Sequence, residues 1–215
     1  MEAEVRSWDP VALGYVPIGQ QCPRFAVNGV LKPGSEFSAA GLTWQVHASP
    51  GHDPHSLIFF EPRSATVISA DALWESGFGV IFQELEGEHV FDEVAHTFDL
   101  IERLKPAVVI PGHGSVFTNV ELALQTARKR LDGFARNPHK HAHHAAKVLL
   151  KFKLLEVQRM DTASMQAWAD ATPYMGLIHH EWFSQTQFVE WVAHLARDLE
   201  RSGAAKRDGD RVVNA

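Results

Sequence analysis

Three short apolar runs in the first half of the chain each end in a side chain that can bind a metal ion. The first, Leu42–Val46, leads into a turn rich in proline and glycine that presents His52. The second ends at Asp71, and the third ends at His113, which lies between two glycines. Short apolar runs bounded by turn residues are typical of buried β-strands. The pattern therefore predicts that His52, Asp71 and His113 meet on one rigid sheet.

The segment from Glu36 to Ile110 has the pattern of an α/β layer. An amphipathic helix is predicted over residues 92–104, with Asp92 as its cap and an apolar stripe along one face. This helix would cover one face of the sheet. The predicted strands lie around residues 37–39, 42–48, 56–61, 65–70 and 107–110. The apolar stripe consists of Val94, Phe98, Ile101 and Leu104.

After Gly114 the pattern becomes helical. Helices are predicted over residues 120–135 and 143–160, another begins at Thr162 or Ser164, and a fourth follows a capping box at residues 184–187. An Asp-Gly pair at residues 208–209 predicts a terminal hairpin. Three helices followed by a hairpin is the order of elements in a winged-helix module. We therefore expect two domains, at residues 1–117 and 118–215.

Composition limits the classes of function. With 215 residues and 45% hydrophobic residues, the chain has enough apolar side chains for a globular core. A net charge of −6 argues against nucleic acid as a partner, and no apolar run approaches the roughly 20 residues that span a bilayer. The single cysteine, Cys22, excludes an internal disulfide and suits a reducing compartment. The prediction is a cytoplasmic protein with no membrane partner and an inert thiol.

The three side chains at the strand ends suit a hydrolytic metal centre. Neutral imidazoles and a carboxylate bind zinc, iron and manganese. A carboxylate can also bridge two ions about 3.5–4 Å apart, and metal-bound water is a nucleophile at neutral pH. We therefore expect up to two ions, a small-molecule substrate and a catalytic role for Asp71.

The order of these motifs resembles a known family. Pro50-Gly51-His52, the strand-terminal Ser69-Ala70-Asp71 and Val109–Gly114 together resemble the metallo-β-lactamase-fold hydrolases, above all the glyoxalase II-like branch. The resemblance covers about residues 36–117. It implies an α+β fold, namely the C-terminal half of an αββα sandwich, followed by a helical accessory domain.

The resemblance also implies roles for individual residues. His52 matches a ligand of the first metal site, His113 a ligand of the second, and Asp71 the carboxylate that bridges them. In the di-zinc β-lactamases of this family a cysteine takes the position of Asp71. The carboxylate therefore favours hydrolysis of esters, thioesters or phosphoesters over β-lactams.

One family motif is missing from this sequence. Family members have a His-x-His-x-Asp-His stretch upstream of the Pro-Gly-His turn, whereas no histidine precedes His47 here. Each ion would then have two protein ligands, and zinc usually takes three or four. The chain is a fragment or late-start form of a longer hydrolase, a degenerate member, or a chain whose site another chain completes. We favour the first, and expect a homodimer because a half-sandwich exposes apolar surface.

Other residues have weaker claims to the site. Asp53 and His55 lie beside His52, where they would act as hydrogen-bond partners of the ligands or as substrate contacts, or would only stabilise the turn. Trp74 and Phe78, with Phe82, would line a substrate pocket or pack in the core.

Three further features have competing interpretations. The histidines of residues 139–144 would bind metal or would only form a polar helix start, which we favour. Lys147, Lys151 and Lys153 would meet an anionic substrate tail or would only be solvated. For the whole chain the alternatives to a hydrolase are a metal-free interaction protein and, less favoured, a nucleic-acid-binding module that uses the hairpin.

Overall fold

The computed structural model describes residues 2–215 and divides into two compact units. One unit is Leu31–Lys140, and the other joins the residues up to Val30 with His141–Ala215. This division differs from the boundary expected at residues 117 and 118, because the helix that follows His113 packs with the sheet unit.

The chain forms eight strands and seven helices within the described residues. The strands are β1 (Glu36–Ala39), β2 (Leu42–Ala48), β3 (Leu57–Glu61), β4 (Thr66–Ala70), β5 (Val108–Pro111), β6 (Arg159–Asp161), β7 (Ala205–Asp208) and β8 (Arg211–Asn214). The helices are α1 (Glu2–Ser7), α2 (Phe91–Leu104), α3 (Val120–Arg136), α4 (Pro138–Val157), α5 (Thr162–Ala171), α6 (Pro173–Trp182) and α7 (Phe188–Arg201).

The sheet unit contains one five-stranded sheet in the order β1-β2-β3-β4-β5. Neighbouring strands from β1 to β4 are antiparallel, and β5 is parallel to β4. Parallel neighbours require a crossover connection, which here contains α2. The five predicted strands are therefore confirmed.

One face of this sheet forms the core with α2 and α3. Along the register, Phe60 pairs with Val67 and Val67 pairs with Val109, so these apolar side chains share a face. Phe98 of α2 and Leu124 of α3 are buried in the same cluster. The core explains why α3 belongs to this unit.

Helix α2 has the predicted stripe but not the predicted cap. Val94, Phe98 and Ile101 are buried, as expected. The cap prediction at Asp92 was wrong, since the helix begins at Phe91. A carboxylate oxygen of Glu84 instead accepts hydrogen bonds from the amides of Val90 and Phe91, at 2.7 and 2.9 Å. A carboxylate there satisfies amides that have no partner within the helix.

The second unit has a three-stranded antiparallel sheet in the order β6-β8-β7. The predicted hairpin is confirmed, and its turn includes Gly209 with φ of +59°. The helical region expected after the sheet is present, and this hairpin ends it; the winged-helix likeness stays a prediction. Helix α6 and the three-residue strand β6 were not predicted from the sequence.

Local signals at two helix starts, those of α7 and α4, were misinterpreted. The capping box predicted at residues 184–187 is absent, since no side-chain bond caps α7. Helix α5 begins at Thr162, as predicted, and is capped by Asp161, whose carboxylate accepts from the Ser164 amide at 2.7 Å. Helix α4 begins at Pro138 rather than residue 143, because proline is well tolerated in the first helical turn.

No helix within residues 2–215 combines the length and the apolar character needed to cross a lipid bilayer.

Two leucines of α3 provide a matched test of the core. Leu124 is 4% exposed and Leu122 is 55% exposed. We expect Leu124→Ala to lower the free energy of unfolding by about 2–5 kcal/mol, because it leaves a cavity between α3 and the sheet. Leu122→Ala makes the same chemical change on the surface and should cost about 0.5 kcal/mol or less. Urea denaturation measures both, and equal costs would contradict this assignment of the core.

Candidate functional site

The three residues predicted at the strand ends lie together around Asp71. His52 Nε2 is 3.4 Å from Asp71 Oδ2, and His113 Nε2 is 3.7 Å from Asp71 Oδ1. The two imidazoles therefore contact opposite oxygens of one carboxylate. Their role as metal ligands stays a prediction.

Strand direction explains why these residues meet. Strands β4 and β5 are parallel, so Asp71 and His113, which follow them, leave the same edge of the sheet. Strand β2 runs antiparallel to β3 and β3 runs antiparallel to β4, so β2 has the direction of β4 and delivers His52 to that edge. The Gly112 amide donates to the Ala70 carbonyl at 2.8 Å and joins the two strand ends.

The orientation of His52 is set by a backbone carbonyl. Its Nδ1 lies 2.5 Å from the carbonyl oxygen of Val80, which can only accept a hydrogen bond. Nδ1 therefore bears the proton, and Nε2 points at Asp71. In the neutral ring this places two acceptor atoms face to face, a contact that is favourable only with a cation or a proton between them.

Trp74 contacts two members of the site. Its indole N–H donates to Asp71 Oδ1 at 3.1 Å. Its ring packs edge-on against the ring of His113, with 5.2 Å between the centroids. Trp74 thus has contacts of the kind expected for a residue that orients the carboxylate and the imidazole.

Two glycines allow the backbone to come close to the site. A Cβ on Gly79 would lie 2.7 Å from His52 Nδ1 and 3.0 Å from Asp71 Cβ. A Cβ on Gly112 would lie 2.8 Å from Asp71 Oδ1. The sequence showed glycines on both sides of His113, one of them Gly112, but neither Gly79 nor the Val80 carbonyl was predicted to lie at the site. The Gly-Phe-Gly repeat at residues 77–79 is the signal that could have indicated this close approach.

The remaining candidates have other contacts. Asp53 Oδ1 accepts from the amide of His55 at 2.7 Å, so the pair stabilises the turn after His52. Phe78 is 3% exposed and packs on Phe98 and Phe134 in the core.

The histidines of residues 139–144 lie in the first two turns of α4. His141 is buried, and His143 Nε2 is 2.7 Å from Asp198 Oδ2. Both belong to the packing of the helical unit. Lys151 is likewise engaged, since its ammonium donates to the Ala204 carbonyl at 2.6 Å and to Asn214 Oδ1 at 2.5 Å. These contacts favour a structural role for His141, His143 and Lys151.

A small, partly open cleft lies beside His52 and Asp71. Its wall combines apolar groups with hydroxyl groups, and Thr97 Oγ1 donates across it to the Pro50 carbonyl at 3.2 Å. The lining residues are Ser49, Pro50, His52, Asp71, Ala72, Phe78, Val94 and Thr97.

The donor types suit a divalent metal ion, but their number is small. Within residues 2–215, no group of three or more His, Cys, Asp or Glu side chains is arranged to hold one ion. The contacts of His52 and His113 are instead pairwise, each with a different oxygen of Asp71. The residues present therefore suit a divalent ion by donor type but do not by themselves complete a site.

The sequence profile of the metallo-beta-lactamase superfamily matches residues 3–113 of this chain. The match covers the whole sheet up to His113, including all three residues that converge at its edge. The chain belongs to the metallo-beta-lactamase superfamily. It has the α+β fold expected for that family, with a helical unit in addition. No curated protein matched the chain.

The solved structures that resemble the chain are distant in sequence. The B3 metallo-beta-lactamase BLEG-1 is 22% identical, with 46% of each chain covered and a TM-score of 0.38. A metallo-beta-lactamase family protein from Thermus thermophilus is 18% identical, with 100% of this chain and 68% of that chain covered and a TM-score of 0.43. A beta-lactamase domain protein from Burkholderia ambifaria is 19% identical, with 86% and 52% covered and a TM-score of 0.44. The chain thus spans less than half of the BLEG-1 protein.

Gly79 and Gly133 provide a test of the site geometry in which the two variants change stability in opposite directions. We expect Gly79→Ala to destabilise the protein by about 1–3 kcal/mol, because the new methyl group overlaps His52 and Asp71. A Cβ on Gly133 in α3 has no neighbour within 4 Å, so Gly133→Ala should stabilise by up to about 1 kcal/mol through helix propensity. Thermal denaturation of both variants is the measurement, and a stable Gly79→Ala variant would contradict the close approach.

Proposed function

We propose that this chain contributes the core of a metal-dependent hydrolase site. The observation behind the proposal is that His52 and His113 face opposite oxygens of the Asp71 carboxylate at 3.4 and 3.7 Å. His52, with its proton held on Nδ1 by Val80, would present Nε2 as a ligand together with Asp71 Oδ2. His113 and Asp71 Oδ1 would form the second half of the centre.

The substrate would be a small ester, thioester or phosphoester. A bound divalent ion, for which zinc, iron and manganese all suit these donors, would supply Lewis-acid activation of water and of the scissile group. Asp71 would hold the ions, and the indole N–H of Trp74 would keep the Asp71 carboxylate oriented. The apolar part of the neighbouring cleft would limit access of bulk water.

The additional ligands would come from residues outside this sequence or from a second chain. Two protein ligands per ion are fewer than the three or four that zinc usually takes. We therefore propose a homodimer as the second route to a complete centre. A cytoplasmic location and the absence of nucleic-acid and membrane partners remain predictions.

A metal-free interaction protein is the alternative function. It is favoured by the missing His-x-His-x-Asp-His stretch and by the absence, within residues 2–215, of a three-ligand group. In that case the family fold would be retained without chemistry at His52, Asp71 and His113.

Zinc titration of the full chain separates the two functions. We expect the wild type to bind zinc where a second chain completes the centre, and Asp71→Ala to bind it at least about 100-fold more weakly, because the shared carboxylate serves both ions. Asp53→Ala removes a neighbouring carboxylate that caps a turn and should keep wild-type binding. Competition with a chromophoric chelator measures each affinity.

The exposed His139 requires a control of its own. His139→Gln should leave the titration unchanged if the zinc binds at the sheet edge. Undiminished zinc binding by Asp71→Ala would refute the site assignment. A wild-type chain that binds no zinc, alone or as a dimer in sedimentation experiments, would support the metal-free alternative.

A further inference from the structure

Residues 71–80, here called the site loop, provide three groups to the candidate metal centre. Asp71 begins the loop, Trp74 donates to its carboxylate, and the Val80 carbonyl orients His52. The loop is irregular apart from a single bridge between Trp74 and Gly77. The relative positions of the carboxylate and the His52 imidazole therefore depend on what holds this loop.

Arg130, from α3, contacts the tip of the site loop. Its Nη1 donates to the Ser76 carbonyl at 3.3 Å. Its guanidinium carbon also lies 5.8 Å from the centroid of the Phe78 ring and 5.5 Å from that of Phe134. These distances are in the range of attractive cation–π contacts. One side chain thus binds both the loop backbone and the aromatic residue by which the loop is anchored.

Gly77 makes this contact possible. Its φ of +152° lies in the region that side chains rarely adopt, and a Cβ at this position would overlap Arg130 Nη1. The next residue, Phe78, is buried against Phe98 of α2 and Phe134 of α3. The loop tip is therefore shaped to receive a guanidinium group from α3.

We infer that Arg130 is a positioning residue for the candidate metal centre. By holding Ser76 and Phe78 against α3, it keeps Asp71, Trp74 and the Val80 carbonyl in register with His52. That Arg130 orders the loop is independent of the proposed function, whereas its effect on metal affinity rests on it. The guanidinium suits this task because its planar fork donates to a carbonyl while its face stacks on rings.

Arg130→Met and Arg128→Met form a matched pair on one helix. Arg128 lies two residues earlier in α3 and pairs with Asp99 and Glu102 at 2.7 and 2.9 Å, so its loss removes ion pairs without touching the site loop.

The first measurement is hydrogen exchange of the Trp74 and Gly79 amides in metal-free protein. The Trp74 amide donates to the Gly77 carbonyl, and the Gly79 amide donates to the Asp71 carbonyl.

We expect exchange of both amides to be about tenfold faster in Arg130→Met and unchanged in Arg128→Met, because only the first opens the loop. Zinc affinity, measured by chelator competition, should fall about tenfold in Arg130→Met alone, as for other residues that orient metal ligands.

Arg130→Lys keeps the positive charge but loses the planar guanidinium group. This lysine variant is used instead of Arg130→Met if Arg130→Met does not fold. It should show a smaller change in the same direction. Wild-type exchange in the folded Arg130 variants, or an equal increase in Arg128→Met, would overturn the inference. So would faster exchange with unchanged zinc affinity. A wild-type protein that binds no zinc would rule out a metal centre completed by this chain or its dimer, while the exchange comparison would still decide whether Arg130 orders the loop.

Discussion

The parallel pairing of β4 and β5 brings the candidate site together. Because the two strands run in the same direction, the residues that follow them leave one edge of the sheet, and Asp71 and His113 become neighbours although all of α2 lies between them in the sequence. The pairing requires a crossover, and the burial of Phe98 from α2 against the sheet stabilises that crossover. Core packing and site geometry therefore have a common cause.

The contact between His52 and Asp71 places two hydrogen-bond acceptor atoms against each other. The Val80 carbonyl holds the imidazole proton on Nδ1, so the remaining lone pair faces a carboxylate oxygen. A Cβ at position 79 or 112 would overlap His52 or that carboxylate, so only glycine fits there. An arrangement that places an imidazole lone pair against a carboxylate oxygen has a physical cost unless a cation or proton enters it. This cost favours a functional interpretation of the cluster over a structural one.

The helical unit is held together in part by hydrogen bonds from one lysine to its small sheet. Its terminal hairpin and β6 form a small sheet in the order β6-β8-β7, and Lys151 joins α4 to that sheet through the Ala204 carbonyl and the Asn214 side chain. The sequence pattern suggested that the lysines of α4 meet solvent or substrate. Lys151 instead has three protein acceptors, because its long side chain reaches the hairpin that the fold places beside it.

Local sequence pattern was sufficient to predict the strands of the sheet, the stripe of α2, the terminal hairpin and the three residues at the strand ends. These features follow from periodicity and turn chemistry, which depend on neighbours along the chain. The assembled fold was needed to show that Glu84 caps α2, that Val80 and Gly79 surround His52, that Trp74 bonds to Asp71 and that Arg130 binds the site loop. Each of these contacts depends on where irregular loops and packed helices place backbone groups in three dimensions. No periodic pattern encodes such contacts, and so they appear only once the sheet and helices are assembled.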